Sequence, residues 1–481
     1  MKRIKTAKSQ VTRSPGTIAV SNAMFAMYGM RSTLQRTTLG AVLALALGGC
    51  ALGPDYIKPT MDVPGAYKES GQWKTAQPMD DSPRGDWWTI CEDPRLNDLM
   101  ATLNRQSPTI AQAEAQYRQA QALLRQAQSS LFPTFGVTAS ATRSASGTGS
   151  STTSTATVLN GNTITGTSGK SGISNSYNFG LNASWEPDLW GGIRRSVEAG
   201  EATEAASAAQ LAAIKLSSQV QMASAYLQLV VADQQIKQLL ESEKALQDTL
   251  QLTLNQSAAG IVSDANVSLA TSQLKSAQAQ RVDRQLTRAQ LEHAVAAALG
   301  QPPSTFSLPE SDVLPHLPQV PAGLPSTLLE RRPDIAAAER NVAAANAQIG
   351  VVKAAFFPSL TLSASGGFRS DSFADWLSVP NRIWSLGPQL ALTLFDAGLR
   401  RAQTDAAIAS YDASVANYRL TVLTAFQSVE DDLAAQAMLD QQAELQTAAL
   451  TAARRSETIT LNQYRAGIVG FIDVLAAQNS R

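Results

Sequence analysis

Residues 107–140 read SPTIAQAEAQYRQAQALLRQAQSSLFPTFGVTAS, and residues 332–365 read RPDIAAAERNVAAANAQIGVVKAAFFPSLTLSAS. The two align without a gap at an offset of 225, which pairs Pro108 with Pro333, Ile110 with Ile335, Glu114 with Glu339, and Phe132-Pro133 with Phe357-Pro358. Each copy starts with the Ala-, Gln- and Arg-rich composition of a helix. Each helix should end at the Phe-Pro step, because proline disfavours helix in the residue before it. The hydrophobic period then switches to two, which is the period of a strand. Two more blocks recur in the same order. GGIRR (191–195) matches AGLRR (397–401), and LNQSAAGIVSDANV (254–267) matches LNQYRAGIVGFIDV (461–474). A repeat this long is a duplicated half, unlike the 20–50-residue periods of solenoids.

Working outward, each half reads as a helix, two strands and two long helices. The first repeat covers 96–300, with strands at 134–143 and 176–186 and helices at 193–255 and 262–299. The second covers 326–481, with strands at 359–369 and 383–395. A proline-rich linker, 301–325, separates them. In the first half Phe135, Val137, Ala139 and Ala141 alternate with small residues, as do Tyr177, Phe179, Leu181, Ala183 and Trp185. In the second half Leu360, Leu362 and Ala364, then Trp384, Leu386, Leu390, Leu392 and Leu394, do the same. Each strand has about the ten residues that cross a bilayer as a tilted barrel strand. Residues 144–175, nearly all Ser, Thr, Gly and Asn, read as a solvated loop of about thirty residues, such as outer-membrane barrels carry on one side.

Four strands cannot close a barrel, since the smallest single-chain ones have eight. Open edges in lipid would leave backbone groups unsatisfied. Subunits must therefore share one barrel. Two copies would fill its interior with side chains, whereas three leave room for a lumen. Small inward residues, Gly180, Ser184, Gly387 and Ala391, favour three. Residues 193–255 contain no proline and span roughly 90 Å as one helix. The pair repeats as 397–460 and 468 onward. At the offset of 207 that relates 254–267 to 461–474, the counterpart of Leu299 falls about 25 residues beyond Arg481. The reading therefore expects either a fragment or an unusually short C-terminus. The fold class expected is an α+β membrane protein. It is expected to hold long antiparallel helical hairpins, with each protomer giving four strands to a trimeric twelve-stranded barrel.

The N-terminus carries an apolar run of eleven, LGAVLALALGG (39–49), preceded by Arg31 and Arg36. It is too short to span a membrane and has the layout of a signal peptide over 1–49, with Met30 as a possible true start. Leu47-Gly48-Gly49-Cys50 resembles a bacterial lipobox, which makes Cys50 the acylated first residue of a lipidated segment, 50–95. The alternative is an ordinary signal whose Cys50 pairs with Cys91. Ala51, rather than an inner-membrane retention Asp, points to the outer membrane.

Composition narrows the classes. The 39 Lys and Arg balance 39 Asp and Glu, so no basic excess points to nucleic acid. Two Cys alone cannot build a disulfide framework or a four-ligand zinc site, and the two His add little to them. His293 lies in a helix and His316 in the linker, and no nucleophilic triad, phosphate loop or metal spacing appears. Asp431-Asp432 reads as a solvated helix face. No enzyme activity and no cofactor are expected.

CALGPDYIKP (50–59), WEPDLWGGIRR (185–195), LLERRPDI (328–335) and AAFFPSL (354–360) resemble the signature blocks of the outer-membrane factors of tripartite efflux pumps, in the NodT-type lipoprotein branch typified by OprM and related to TolC. The resemblance covers residues 50–481. It implies a homotrimer whose long helical hairpins form a periplasmic tunnel, a periplasmic adaptor, an inner-membrane transporter of the resistance–nodulation–division type, and contact with outer-membrane lipids through acylated Cys50. The tips Gly260, Ile261, Val262 and Gly467, Ile468, Val469 would meet the adaptor. Glycine suits such turns because it adopts positive φ. Tyr464 and Asp473 match a gating tyrosine and an entrance aspartate. Asn266 stands where the first copy would hold an aspartate, Ala476 replaces a second entrance aspartate, and Val469 replaces a gate arginine. The alternative for Asp473 is a solvated helix residue or a partner of the helix N-terminal dipole. The runner-up function is an exit duct for secreted polypeptides, and a third reading is a structural envelope lipoprotein.

Overall fold

The computed structural model describes residues 52–59, 85–145, 154–159, 162–167, 173–311, 314 and 332–480. The signal peptide, Cys50 and most of the proline-rich linker lie outside the described residues. Seven α-helices are described: α1 (Pro94–Gln106), α2 (Pro108–Ser129), α3 (Gly192–Ala258), α4 (Asp264–Ala298), α5 (Pro333–Ala354), α6 (Leu399–Arg465) and α7 (Phe471–Asn479). The strands are β1 (Thr134–Ala145), β2 (Ser154–Leu159), β3 (Asn162–Thr167), β4 (Ile173–Trp185), β5 (Ser359–Ser370) and β6 (Arg382–Ala391). The class is α+β, helix-rich with a four-stranded antiparallel sheet. Contacts divide the chain into a sheet unit (Ala127–Val197, Ala347–Asp405 and the described residues up to Pro54) and a helical unit.

In the sheet unit the strand order is β1-β4-β5-β6, antiparallel throughout. The two halves meet at β4 and β5, where Ala183 pairs with Ala364 and Phe179 with Phe368. Helix α2 closes with Phe132 N–H donating to the Ser129 carbonyl, and α5 closes with Phe357 N–H donating to that of Ala354, both at 3.1 Å. The proline that follows turns each chain into its strand. Strand β6 ends at Ala391, short of the expected 395. Its last partner is Ser359, and Pro358 before it offers no N–H to continue the ladder. The expected solvated loop over 144–175 also needs correction, because it contains the hairpin β2–β3, paired from Ser154↔Thr167 to Leu159↔Asn162. Alternating Thr, Val and Ile in STATVL and NTITGT supply its β-propensity.

The helical unit is built on short amphipathic pieces laid against long helices. In α1, Asp93 caps the N-terminus by accepting from the N–H groups of Arg95 (2.8 Å) and Leu96 (3.4 Å), and Pro94 takes the first position, where no N–H is needed. Leu96, Leu99, Met100 and Leu103 recur at helical spacing and are buried against Met222, Tyr226 and Val230 of α3 and Val295 of α4. The Tyr226 hydroxyl donates to Asp93 Oδ2 at 2.7 Å. Burial, and then this carboxylate, push its pKa well above the usual tyrosine range. In the second half Ile335, Ala338 and Val342 of α5 pack on Tyr418, Val422 and Ala425 of α6. Helices α3 and α4 are tied by the half-buried Arg288, whose Nε lies 2.6 Å from Oδ1 of the buried Asp233. Arg288 also donates to the Leu308 carbonyl at 2.7 Å, and Asp233 accepts from Ser311 N–H at 3.0 Å. The start of the linker is thereby held on both helices. Breaking such a pair by removing one partner leaves an uncompensated charge.

Candidate channel entrance and the two-faced sheet

The two helical hairpins turn on the same backbone. Gly260 follows α3 at φ +74°, and Gly467 follows α6 at φ +74°. Ile261 N–H donates to the Gln256 carbonyl at 2.9 Å, and Ile468 N–H to that of Gln463 at 2.9 Å. These are glycine-terminated helix ends that satisfy carbonyls the last turn would leave bare. Each turn presents an apolar tip: Ile261 is 71% exposed and Ile468 72%, with Val262 and Val469 half-buried behind them.

The candidate gate residues are spread around these turns. Tyr464, at the end of α6, is 4% exposed and packs with Phe471, Val474 and Leu475 of α7 and Ala270 of α4. Its ring lies 5.7 Å from that of Phe471. Its hydroxyl donates to Gln256 Oε1 of α3 at 2.5 Å, so it links the second hairpin to the first. Asp473 is exposed in the first turn of α7, and its Oδ2 accepts from Gly470 N–H at 3.0 Å. Its negative charge therefore sits at the positive end of its own helix. Asn266 is half-buried in the first turn of α4, where its N–H donates to the Ser263 carbonyl at 2.9 Å. The structure thus brings Tyr464 to a partner the sequence did not name, Gln256, 208 residues away. Composition gave no signal for it.

The sheet unit has two unlike faces. Directly paired residues of an antiparallel ladder share a face, so the register alone sorts them. Val137, Leu181 and Gly366 fall with Trp384 on one side, and Thr138, Gly180, Gly367 and Ile383 on the other. The first face is apolar and bare in the single chain, with Phe135 80%, Trp384 76% and Leu390 68% exposed. The second is almost wholly Ser, Thr, Gly and Asn. Such a large exposed apolar surface marks contact with lipid or protein. No described helix is long and apolar enough to cross a membrane.

The segment that follows Cys50 is also fixed in the sheet unit. Arg195, buried at the start of α3, donates Nε to the Leu52 carbonyl at 3.3 Å and Nη2 to that of Gly53 at 3.4 Å. Gly53 has φ +113°, and a Cβ there would lie 2.6 Å from the Cα of Gly350. Only a residue without a side chain fits so close a crossing. Cys91 is a buried free thiol. No group of three or more His, Cys, Asp or Glu placed to hold a metal occurs among the described residues.

The outer membrane efflux protein family matches residues 99–301 and 324–480, and the chain belongs to it. It is similar to the probable efflux pump outer membrane protein TtgC of Pseudomonas putida, at 31% identity over 92% of this chain and 88% of that one. It is equally similar, at 31%, to the pyoverdine export outer membrane protein OpmQ of Pseudomonas aeruginosa, over 91% of this chain and 89% of that one. Among solved structures, the outer-membrane channel OprN matches with a TM-score of 0.77 and 29% identity, over 90% of this chain and 93% of that one. The protein resides in the outer membrane and is an exit channel for efflux.

Proposed function

We propose that three copies of this chain close one twelve-stranded barrel, with the polar face lining the lumen and the apolar face in lipid. The observation that carries this reading is the open four-stranded sheet with unpaired edges at β1 and β6. In a bilayer each unsatisfied backbone group costs several kcal/mol. Pairing β6 of one copy with β1 of the next removes every edge. The long helices of three copies then form a tunnel through the periplasm. The apolar tips at Ile261 and Ile468 dock a periplasmic adaptor, which connects the tunnel to an energised inner-membrane transporter of the resistance–nodulation–division type. Tyr464, Asp473 and Asn266 form the polar constriction at the tunnel entrance. Acyl chains on Cys50 add a second hold on the outer membrane, since stable anchoring takes more than one chain.

The chain catalyses no reaction; its partners supply the energy. Its cargo is small toxic compounds. Relatives named for solvent efflux and for pyoverdine export support a duct that tolerates chemically different cargo. The test is a susceptibility panel of the native strain with the gene deleted and then restored. Sensitisation to several unrelated small compounds, reversed by the gene, is the expected result. Unchanged susceptibility together with loss of a secreted polypeptide overturns it in favour of polypeptide export.

A further inference from the structure

The polar face of the sheet carries a single ionisable residue. Read across the register, every position on that face in β1, β4, β5 and β6 is Ser, Thr, Gly, Asn, Gln, Ala or Ile, except Arg369. Arg369 is the penultimate residue of β5 and pairs with Asn178 of β4. It therefore lies at the end of the sheet from which the long connection after β1 leaves. The other two strand arginines, Arg143 and Arg382, occupy the opposite, apolar face: Arg143 pairs with Asn175, and Arg382 with Phe368. Asp371 and Asp375 follow β5 and lie beyond the end of its ladder.

We propose that Arg369 sets the charge preference of the channel at its outer mouth. This rests on the trimeric barrel proposed above. Three-fold symmetry makes one arginine per chain into a ring of three positive charges on an otherwise uncharged wall. Rings of Arg or Lys favour anions, and a charged constriction with low-dielectric walls focuses its field on what passes. An Arg guanidinium keeps its charge at any physiological pH, so the preference does not titrate. Anionic solutes and anionic groups of amphiphilic cargo are drawn to the mouth, and small cations are disfavoured there.

The test uses purified full-length trimers in planar bilayers with a KCl gradient, reading the reversal potential of wild type, Arg369→Ser, Arg369→Glu and the outward-facing control Arg382→Ser. Arg369→Ser should raise the cation-over-anion permeability ratio roughly two- to tenfold at 0.1 M salt, where the Debye length is about 10 Å, and much less at 1 M, where it is about 3 Å. Arg369→Glu should move the ratio further the same way, and Arg382→Ser should leave it at the wild-type value. A conducting trimer whose reversal potential ignores both Arg369 variants, or responds equally to Arg382→Ser, overturns the proposal while leaving the barrel standing. A wild-type chain that forms no trimer overturns the barrel, and the ring with it. For a trimer that stays closed, Ser365→Cys on the polar face of β5 gives a second readout in intact cells. Negatively charged thiol reagents should react faster than positively charged ones, and Arg369→Ser in the same background should abolish the difference. Equal rates in the presence of Arg369 overturn the proposal.

Discussion

At Gly260 and at Gly467 the chain takes the same φ, +74°, and the following isoleucine amide reaches back to a glutamine carbonyl over the same 2.9 Å. Around this shared backbone the side chains differ. The positions of Tyr464, Gly470, Phe471 and Asp473 in the second hairpin correspond to Ser257, Ser263, Asp264 and Asn266 in the first. The second tip has a buried aromatic pair and a carboxylate closed onto its own helix start. The first has short polar groups, with Ser257 Oγ a long 3.4 Å from Asp264. Duplication thus separates two requirements. The turn needs glycine and a tolerant backbone in both copies, whereas among the described residues the buried aromatic pair stands at the second tip alone.

The most direct way to break this comparison is Phe471→Ala against Asp264→Ala. Phe471 is 3% exposed inside a cluster with Tyr464, Val474 and Leu475. Losing a buried aromatic side chain costs about 3–5 kcal/mol. Amide exchange across α7 and the last turns of α6 should therefore accelerate strongly in the Phe471 variant. Exchange around α4 should scarcely change in Asp264→Ala. Equal responses would mean the two tips are held alike.

Glycine tests the shared part. At neither Gly260 nor Gly467 does an added Cβ meet any atom within 4 Å. Substitution therefore probes backbone conformation alone. A left-handed conformation costs an L-residue roughly 1–2 kcal/mol, so Gly260→Ala and Gly467→Ala should destabilise their turns by the same amount, read again by local amide exchange. A large difference between them would show that φ is not the common constraint.

Much of this architecture is legible in the sequence. The repeat, the change of period after Phe132-Pro133 and Phe357-Pro358, and the two alternating faces of the strands carry the α+β class, because each is local physics written into adjacent residues. Three features were not legible, each for its own reason. Leu392 and Leu394 continue the alternation of β6, yet Pro358 ends the ladder that would pair with them, and a sequence pattern does not show where a partner stops. The hairpin β2–β3 was hidden by a Ser/Thr/Gly composition that reads as loop, although Asn160-Gly161 between two β-branched runs is a strong hairpin signal. The bond from Tyr464 to Gln256 joins residues from different repeats, and no periodicity points across that distance.

That bond also gives the smallest and most specific test of the comparison. The Tyr464 hydroxyl donates a hydrogen bond from the second tip to Gln256 of α3, and Asp473 holds the Gly470 amide at the start of α7. Tyr464→Phe removes the hydroxyl and keeps the ring in its cluster, a loss of about 1 kcal/mol for a hydrogen bond of this kind. Asp473→Asn keeps an acceptor near Gly470 and removes the charge. Neither change disturbs the apolar packing around Phe471, so the double variant should fold and assemble like the wild type. If the second tip restrains the entrance through these polar contacts, purified trimers of the double variant should conduct more than wild type in planar bilayers. Adding Ser257→Ala in the first tip should contribute nothing further, because its hydroxyl makes only the long contact with Asp264. Unchanged conductance in the double variant would remove Tyr464 and Asp473 from the gate and leave the Phe471 cluster as the element that distinguishes the two tips.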